Sequence, residues 1–323
     1  MNWNEELKRR TRRARNAAIA AVQGVLGAAS AGHHAKRPMR VVMTLLVRDE
    51  ADIVAATIEH ELSIGVDFIV ATDNGSTDET PAILADYATA GVLELHREPK
   101  HTYEQGKWVT AMARRAARTH GASWVVNLDA DEFLWPAGPD LKAALGRCEP
   151  TAGLYPIAEW RMSPDPDRHG GWTDRVVVGH TGNTWSDAPF WKVCHRADAA
   201  VRVLQGNHYA LGPRLGSVSR GEPLAALHLP NRSLAQYVHK LELAGSAFSA
   251  HPNPSQSLGR GVRLEYEMVR NGTFEAAYQA WGRSMLARLA AGTAIIDTRL
   301  RDRLHALVPD AVLPHRLEEA LRR

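Results

Sequence analysis

Between Arg40 and Phe133 apolar runs and polar clusters follow one another at short, regular intervals. Arg40-Val-Val-Met-Thr-Leu-Leu-Val47 is a short, continuous apolar run with several β-branched residues, which predicts a buried parallel strand. Asp49–Ile64 places Ile53, Val54, Thr57, Ile58, Leu62 and Ile64 at helical spacing, and Gly65 ends that helix. Val66–Ala71 predicts a second buried strand, and Asp73–Asp78 a turn. Thr80–Ala90 predicts a helix with Pro81 in its first turn, followed by a short strand at Val92–Leu95. Tyr103–His120 predicts a third helix, and Trp124–Leu128 a strand that runs straight into Asp129-Ala-Asp-Glu-Phe133. Alternation of this kind implies a parallel, doubly wound sheet. Ligands bind such sheets at the carboxyl ends of the strands. Three polar clusters fall at those ends: Arg48–Glu50, Asp73–Asp78 and Asp129–Glu132.

After residue 136 the alternation stops. Residues 150–232 are rich in Gly, Pro, Trp and His, with strand-like runs at Gly153–Ala158, Arg175–Val178, Trp191–His195 and Val201–Leu204. Residues 233–249 and 261–291 read as helices joined by the linker His251–Ser257, and Asp297–Arg323 as a further helical tail. Residues 5–30 read as an Ala-rich helix, broken between Gly32 and Pro38.

Composition narrows the classes. The chain is 45% hydrophobic and 23% charged, as ordinary globular proteins are. Two cysteines, Cys148 and Cys194, exclude a disulfide framework and a cysteine zinc site. Residues 1–40 hold nine Lys and Arg against two Asp and Glu, so the net charge of +3 is a +7 arm on a body of −4. The body is therefore not a nucleic-acid binder. The cluster Arg9–Arg15 is basic enough for peripheral contact with an acidic membrane surface, although a solvated helix face is the plainer reading. No run of 18 apolar residues is present, and the expected location is cytoplasmic, at or near the inner face of a membrane. Fifteen histidines include no HExxH, which disfavours a zinc hydrolase.

Four constellations can carry chemistry. Asp129 and Asp131 stand at i and i+2 after an apolar strand, so both point to one face if the chain stays extended. Hard oxygen ligands of that kind suit Mg2+ or Mn2+. Asp73-Asn-Gly-Ser-Thr-Asp78 holds more polar side chains than one helix cap needs, and a carboxylate there can accept hydrogen bonds from a base or a ribose. Arg48, again at a strand end, can reach a base or diphosphate, or cap its own helix. Gln105 and Lys107 open a helix, and a helix N-terminus with a lysine suits an anion; a solvated first turn is the alternative. Seven of the nine tryptophans lie between Trp108 and Trp191. Trp124 sits inside a strand and reads as core, whereas Trp160, Trp172, Trp185 and Trp191, among Gly and Pro loops, read as faces for an acceptor sugar.

Taken together, Val41–Glu50, Phe68–Thr80, Gly106–Arg114 and Trp124–Leu134 resemble, in order and spacing, the nucleotide-sugar-binding half of a GT-A glycosyltransferase. The span is most similar to family-2-like enzymes and to the family-92-like group whose motif reads DxDEF. A fainter match continues through Leu227-His-Leu-Pro-Asn-Arg-Ser233, Gln236-Tyr237 and Lys240, with Leu229 where the group usually has Tyr. The resemblance implies an α/β fold: a GT-A-type nucleotide-sugar-binding mixed sheet flanked by helices, with a β/loop acceptor region and C-terminal helices. It divides the chain into an arm (1–38), a catalytic domain (39–232, donor half to 136) and a helical region (233–323). Thr44, Arg48, Glu50 and Asp73 then hold the nucleoside, and Asn74, Ser76, Lys107 and Asp129 complete the donor contacts. Asp129 and Asp131 hold Mn2+ or Mg2+ on the diphosphate, with His228 completing that site. The implied partners are a nucleotide-sugar donor, UDP-linked, and a glycan or lipid-linked glycan acceptor.

Inversion, inherited from family 2, needs a general base near the acceptor hydroxyl. The familiar Glu-Asp pair is not visible, and Glu159 and Asp187 are the candidates. Trp160, Trp185, Trp191, Lys192 and His208 are the acceptor-side residues. Two rivals stand beside this reading. A nucleotidyltransferase wants a Gly-rich phosphate loop, and Val47-Arg-Asp-Glu50 has no glycine. A catalytically inactive sugar-binding protein on the same scaffold has no use for an intact Asp129/Asp131 pair.

Overall fold

The computed structural model describes residues 38–100, 104–180, 191–221, 224–250 and 260–323. The basic arm, Trp185, Asp187 and the Pro/Ser linker lie outside the described residues. The first part of the sheet is built from β1 (Val41–Val47), α1 (Val54–Ser63), β2 (Phe68–Asp73), α2 (Thr80–Thr89), β3 (Leu93–Arg97), α3 (Gln105–Arg118) and β4 (Trp124–Asp129). The four strands are parallel, in the order β3-β2-β1-β4.

The chain then runs through β5 (Glu132–Trp135), α4 (Leu141–Gly146), β6 (Ala152–Pro164), α5 (Trp172–Arg175), β7 (Val176–His180) and β8 (Trp191–Arg196). Short strands β9 (Arg202–Val203), β10 (Ala210–Leu211) and β11 (Ser217–Val218) lead to β12 (Leu224–His228). The last elements are α6 (Leu234–Ala250), α7 (Arg260–Arg270), α8 (Phe274–Ala290), β13 (Ile295–Ile296), α9 (Arg299–Leu307) and α10 (Pro314–Arg322). Beyond β4 the sheet continues antiparallel through β8, β6, β7 and β13, so it is mixed rather than purely parallel. β12 lies parallel to β6 and antiparallel to β5.

Alternation along β1 splits the core in two. Val41, Met43, Leu45 and Val47 face one apolar cluster with Ile53, Val54 and Ile58 of the α1 region. Val42 faces the other, formed with Val109, Met112, Ala113 and Ala116 of α3. This two-sided burial explains why the strand reads as a continuous apolar run.

The helix expected from Asp49 starts only at Val54. Asp49 has φ 50°, and Ser76, Thr77 and Asp78 of the β2–α2 loop bind the backbone or side chain of residues 49–51. The helix expected over 261–291 breaks between Arg270 and Phe274: Gly272 (φ 73°) and Thr273 donate backbone hydrogen bonds to Val269 and Met268, an αL stop. The C-terminal tail does not stand apart. Leu300, Leu304, Leu317 and Leu321 enter the main apolar cluster, and the Val312 and Leu313 amides donate to Glu59 of α1. Trp172, expected at an acceptor face, is instead buried, its indole N–H shared between the Asp52 and Ala320 carbonyls.

Two fully buried histidines make the fold acid-sensitive. His60 bonds the Leu134 carbonyl through Nε2, and His195 the Arg196 carbonyl through Nδ1. Burial outweighs those bonds and lowers both rings from 6.5 to about 4. Between those values the unfolded chain takes up protons that the native state refuses, so stability falls as pH drops from 6.5 towards 4. The expected loss is roughly 2–5 kcal/mol across that window. Urea unfolding at stepped pH measures it. His60→Gln and His195→Asn, which keep the donor, will each flatten the slope; a wild-type midpoint that stays level would contradict this account.

Candidate active site

The carboxyl ends of β2, β1 and β4 lie side by side, so the three polar clusters read from the sequence meet. Arg48 Nη1 donates to the Asn74 carbonyl at 2.6 Å, while its Nε is buried with no hydrogen-bond partner. Asp73 is buried, and its Oδ1 accepts the Ser76 amide at 3.1 Å. Asn74 and Ser76 are used by the loop itself: Asn74 donates to the Glu98 and Lys100 carbonyls, and Ser76 Oγ accepts from the Asp49 amide. Thr44 is not at the crevice. It lies mid-strand, 1% exposed, and donates to Asn127 Oδ1 of β4 at 2.8 Å.

The Asp129/Asp131 pair departs from the extended geometry expected of it. The chain turns at Ala130–Asp131, and the two carboxylates face different partners. Asp129 accepts from Lys192 Nζ at 2.7 Å, Gln105 Nε2 at 2.9 Å and Asn207 Nδ2 at 3.3 Å. Asp131 is buried; its Oδ2 accepts from Lys240 Nζ at 2.5 Å and lies 3.5 Å from His228 Nε2. Lys192, expected on the acceptor side, joins Asp129 to Glu132 from β8. Gln105 and Asn207 reach Asp129. Their neighbours Lys107 and His208 are exposed, Lys107 Nζ lying 3.7 Å from Glu104.

Glu132, first residue of β5, is fully buried; its Oε1 forms an ion pair with Lys192 and its Oε2 accepts the Asp129 amide at 3.2 Å. His228 Nδ1, on β12, is 2.7 Å from Glu159 Oε1, and Arg161 Nη2 donates to the same oxygen at 3.2 Å. Glu132, Glu159 and His228 place one ligand atom each within 4.8 Å of the others. That mixed oxygen and imidazole set offers hard donors of the kind that suit Mn2+ or Mg2+. It shares His228 with the Asp129–Asp131–His228 trio expected from the sequence; Asp129 adjoins it through Lys192, and Asp131 lies 3.5 Å from His228. Glu132, which the sequence reading did not single out, stands in the same DxDEF string.

Below the cluster Arg232 of the β12–α6 segment, 1% exposed, ion-pairs with Glu50 and clasps Asp52 through Nε at 2.7 Å and Nη2 at 2.8 Å. Lys240 Nζ bridges Glu50 at 3.0 Å to Asp131. Local sequence sets that reach. Ser233 Oγ accepts the Gln236 amide, and Gln236 Oε1 accepts the Arg232 amide, a capping exchange that starts α6 and puts Lys240 near two turns in.

The charges are strongly interdependent. Burial alone opposes ionisation of Asp131, but Lys240, His228 and Arg232 override it and hold the carboxyl well below its usual range. Glu159 is similarly desolvated, yet His228, Arg161 and Lys192 bring it down to about 2. Burial dominates at Glu132 and lifts it to about 7. His228, also desolvated, is raised to about 9 by Glu159 and Asp131 and is therefore cationic here at neutral pH.

Of the remaining candidates, Trp160 is partly buried against the main core, its ring edge lying where a side chain on Gly179 would be. Trp191 opens β8. Among the described residues no helix is long and apolar enough to cross a membrane.

A parallel β3-β2-β1-β4 half continued by antiparallel strands, with an acidic turn and a cluster of charged side chains at its carboxyl ends, is the architecture of a GT-A glycosyltransferase. Residues 40–149 match the family profile of glycosyltransferase family 92, and the enzyme is a glycosyltransferase. No curated protein sequence matches the chain. Among solved structures, S. aureus TarS 1–349 in complex with UDP is similar at 11% identity over 88% of this chain and 83% of that one, with a TM-score of 0.37. Glucosyl-3-phosphoglycerate synthase from Mycobacterium tuberculosis, in complex with Mn2+, UDP and glucosyl-3-phosphoglycerate, is 22% identical over 43% of this chain and 48% of that one, with a TM-score of 0.27.

Proposed function

We propose that the crevice at the ends of β1, β2 and β4 binds the nucleotide of a UDP-linked sugar donor, and that the sugar passes with inversion to a glycan or lipid-linked glycan acceptor. The observation that carries the donor site is Asp131: buried, and shared by a lysine from α6 and a histidine from β12, it draws three distant segments to one strand end. Arg48, with its unpartnered Nε, and Asp73 stand beside it to meet the nucleoside. Inversion and the nature of the acceptor rest on the family resemblance.

His228, losing its proton to the incoming ion, would hold a divalent cation together with Glu132 and Glu159, with Asp131 on the Nε2 side of the imidazole. Such a cation would offset the negative charge that builds on the departing diphosphate. The protein's own groups do the rest. Lys192 and Lys240 each bridge two carboxylates and can turn a hydrogen to diphosphate oxygens. Glu159, ionised down to about 2, is a poor proton acceptor; we assign it to fixing His228 and leave Asp187 as the candidate base.

One observation favours a second reading. Lys192, Lys240, Arg161 and cationic His228 already balance most of the buried carboxylates, so the cluster can receive a diphosphate without a metal. Release of UDP from UDP-glucose and UDP-N-acetylglucosamine, with Mn2+ or with EDTA, separates the two. Turnover that falls at least about tenfold in EDTA is the expected result; unchanged turnover would give the site to the lysines. No UDP release from any donor would sink both.

A further inference from the structure

A cavity of about 260 Å3 opens beside the charged cluster, between β6 and the helices α6, α7 and α8. The two are joined through β6. Glu159, Arg161 and Ser163 alternate onto one face of that strand. Arg161 is the register partner of His228, donates to Glu159, and lines the cavity with Ser163. The far wall is a ladder of rings. Tyr237 meets Phe274 at 5.7 Å, Phe274 meets Tyr278 at 6.2 Å, and Tyr278 meets Trp281 at 5.9 Å between centroids. Phe274, Tyr278 and Trp281 follow the i, i+4, i+7 spacing of one face of α8.

The polar rim is fixed. Tyr237 donates to Glu265 Oε2 and Tyr278 to Asn231 Oδ1, each at 2.9 Å. Arg161 Nε is buried and has no hydrogen-bond partner, a donor waiting for an oxygen. Tyr237, Tyr278 and Trp281 remain partly exposed, so the ladder is a wall and not a closed core.

We propose that this cavity is the acceptor subsite and that it takes a pyranose ring, its C–H face on the Tyr278–Trp281 wall and its hydroxyls towards Arg161 and the tyrosine rim. The proposal rests on the glycosyltransferase reading, which requires an acceptor beside the donor diphosphate. The chemistry selects a sugar over a lipid tail. A wall of amphipathic rings with an ordered polar rim and an arginine whose Nε lacks a partner suits a polyhydroxylated ring. The volume is below that of pockets for drug-sized ligands and accommodates one such ring.

Saturation-transfer NMR on the full chain tests it, with methyl glucopyranoside, methyl galactopyranoside and N-acetylglucosamine as sugar probes and cyclohexanol as the apolar probe. Wild type is expected to transfer saturation to the C–H protons of at least one pyranoside at millimolar concentration. Ala277→Trp, which fills the cavity, and Trp281→Ala, which removes its wall, are expected to weaken that signal about tenfold. UDP affinity, measured on the same samples, is expected to stay at the wild-type value in both variants. If one variant does not fold, the other carries the comparison. Binding of cyclohexanol but of no pyranoside, or pyranoside binding that survives both variants, overturns the proposal. Pyranoside binding in a protein that binds no nucleotide keeps the subsite and removes the donor reading; UDP binding without pyranoside binding removes the subsite alone.

Discussion

Arg232→Met will destabilise the fold by about 3–5 kcal/mol, the usual consequence of removing one member of a buried ion pair. The guanidinium is 1% exposed and touches Glu50, both oxygens of Asp52 and the Leu229 carbonyl. Burial works against its charge, but Glu50 and Asp52 raise its affinity for the proton above that of a free arginine. Methionine fills much of the space and satisfies none of these acceptors. Glu50 keeps Lys240, whereas Asp52 loses its clasp. Arg232→Lys restores the charge without the two-pronged geometry and should recover only part of the loss. Urea unfolding at pH 7 measures both; a loss under about 1 kcal/mol for Arg232→Met would mean that the cluster is not the keystone between α6 and β1.

Asp131→Asn will lower UDP release from UDP-sugars by about 10²–10³-fold, the scale seen when one preorganised electrostatic contact is lost at a reacting centre. The side chain keeps its size, so the fold should survive. Lys240 still has Glu50, and His228 still has Glu159. What disappears is the charge that holds Lys240 and the imidazole at one strand end. Turnover within threefold of wild type would show that Asp131 is a structural counter-ion only.

The β1–β4 part of the fold was legible because its physics is local. β1, β2 and β4 are apolar runs buried on both faces, and each ends in a polar cluster that the chain order alone places at a strand terminus. Legibility failed where tertiary contacts overrode local pattern. β6 runs for 13 residues, but only Gly153–Ala158 read as strand, because Glu159 and Arg161 interrupt the apolar run. Those residues are polar precursors of the site, alternating into it from an otherwise regular strand. The Asp129–Asp131 spacing was visible, but not the turn between them, which sends the two carboxylates to different lysines. Lys192 and Lys240 lie 63 and 109 residues from the aspartates they hold, and no periodicity reports such pairings. The break at Gly272 was readable in principle, since Asn-Gly commonly ends a helix, and it matters because it frees α8 to present its aromatic face.

Calorimetric titration of UDP, GDP and CDP, with and without Mn2+, tests the central claim most directly, with wild type run beside Asp129→Ala/Asp131→Ala. The account predicts that wild type binds UDP over the other two nucleotides, more tightly with Mn2+, and that the double variant loses at least about tenfold in affinity. A wild-type protein that binds none of the three under either condition would contradict it.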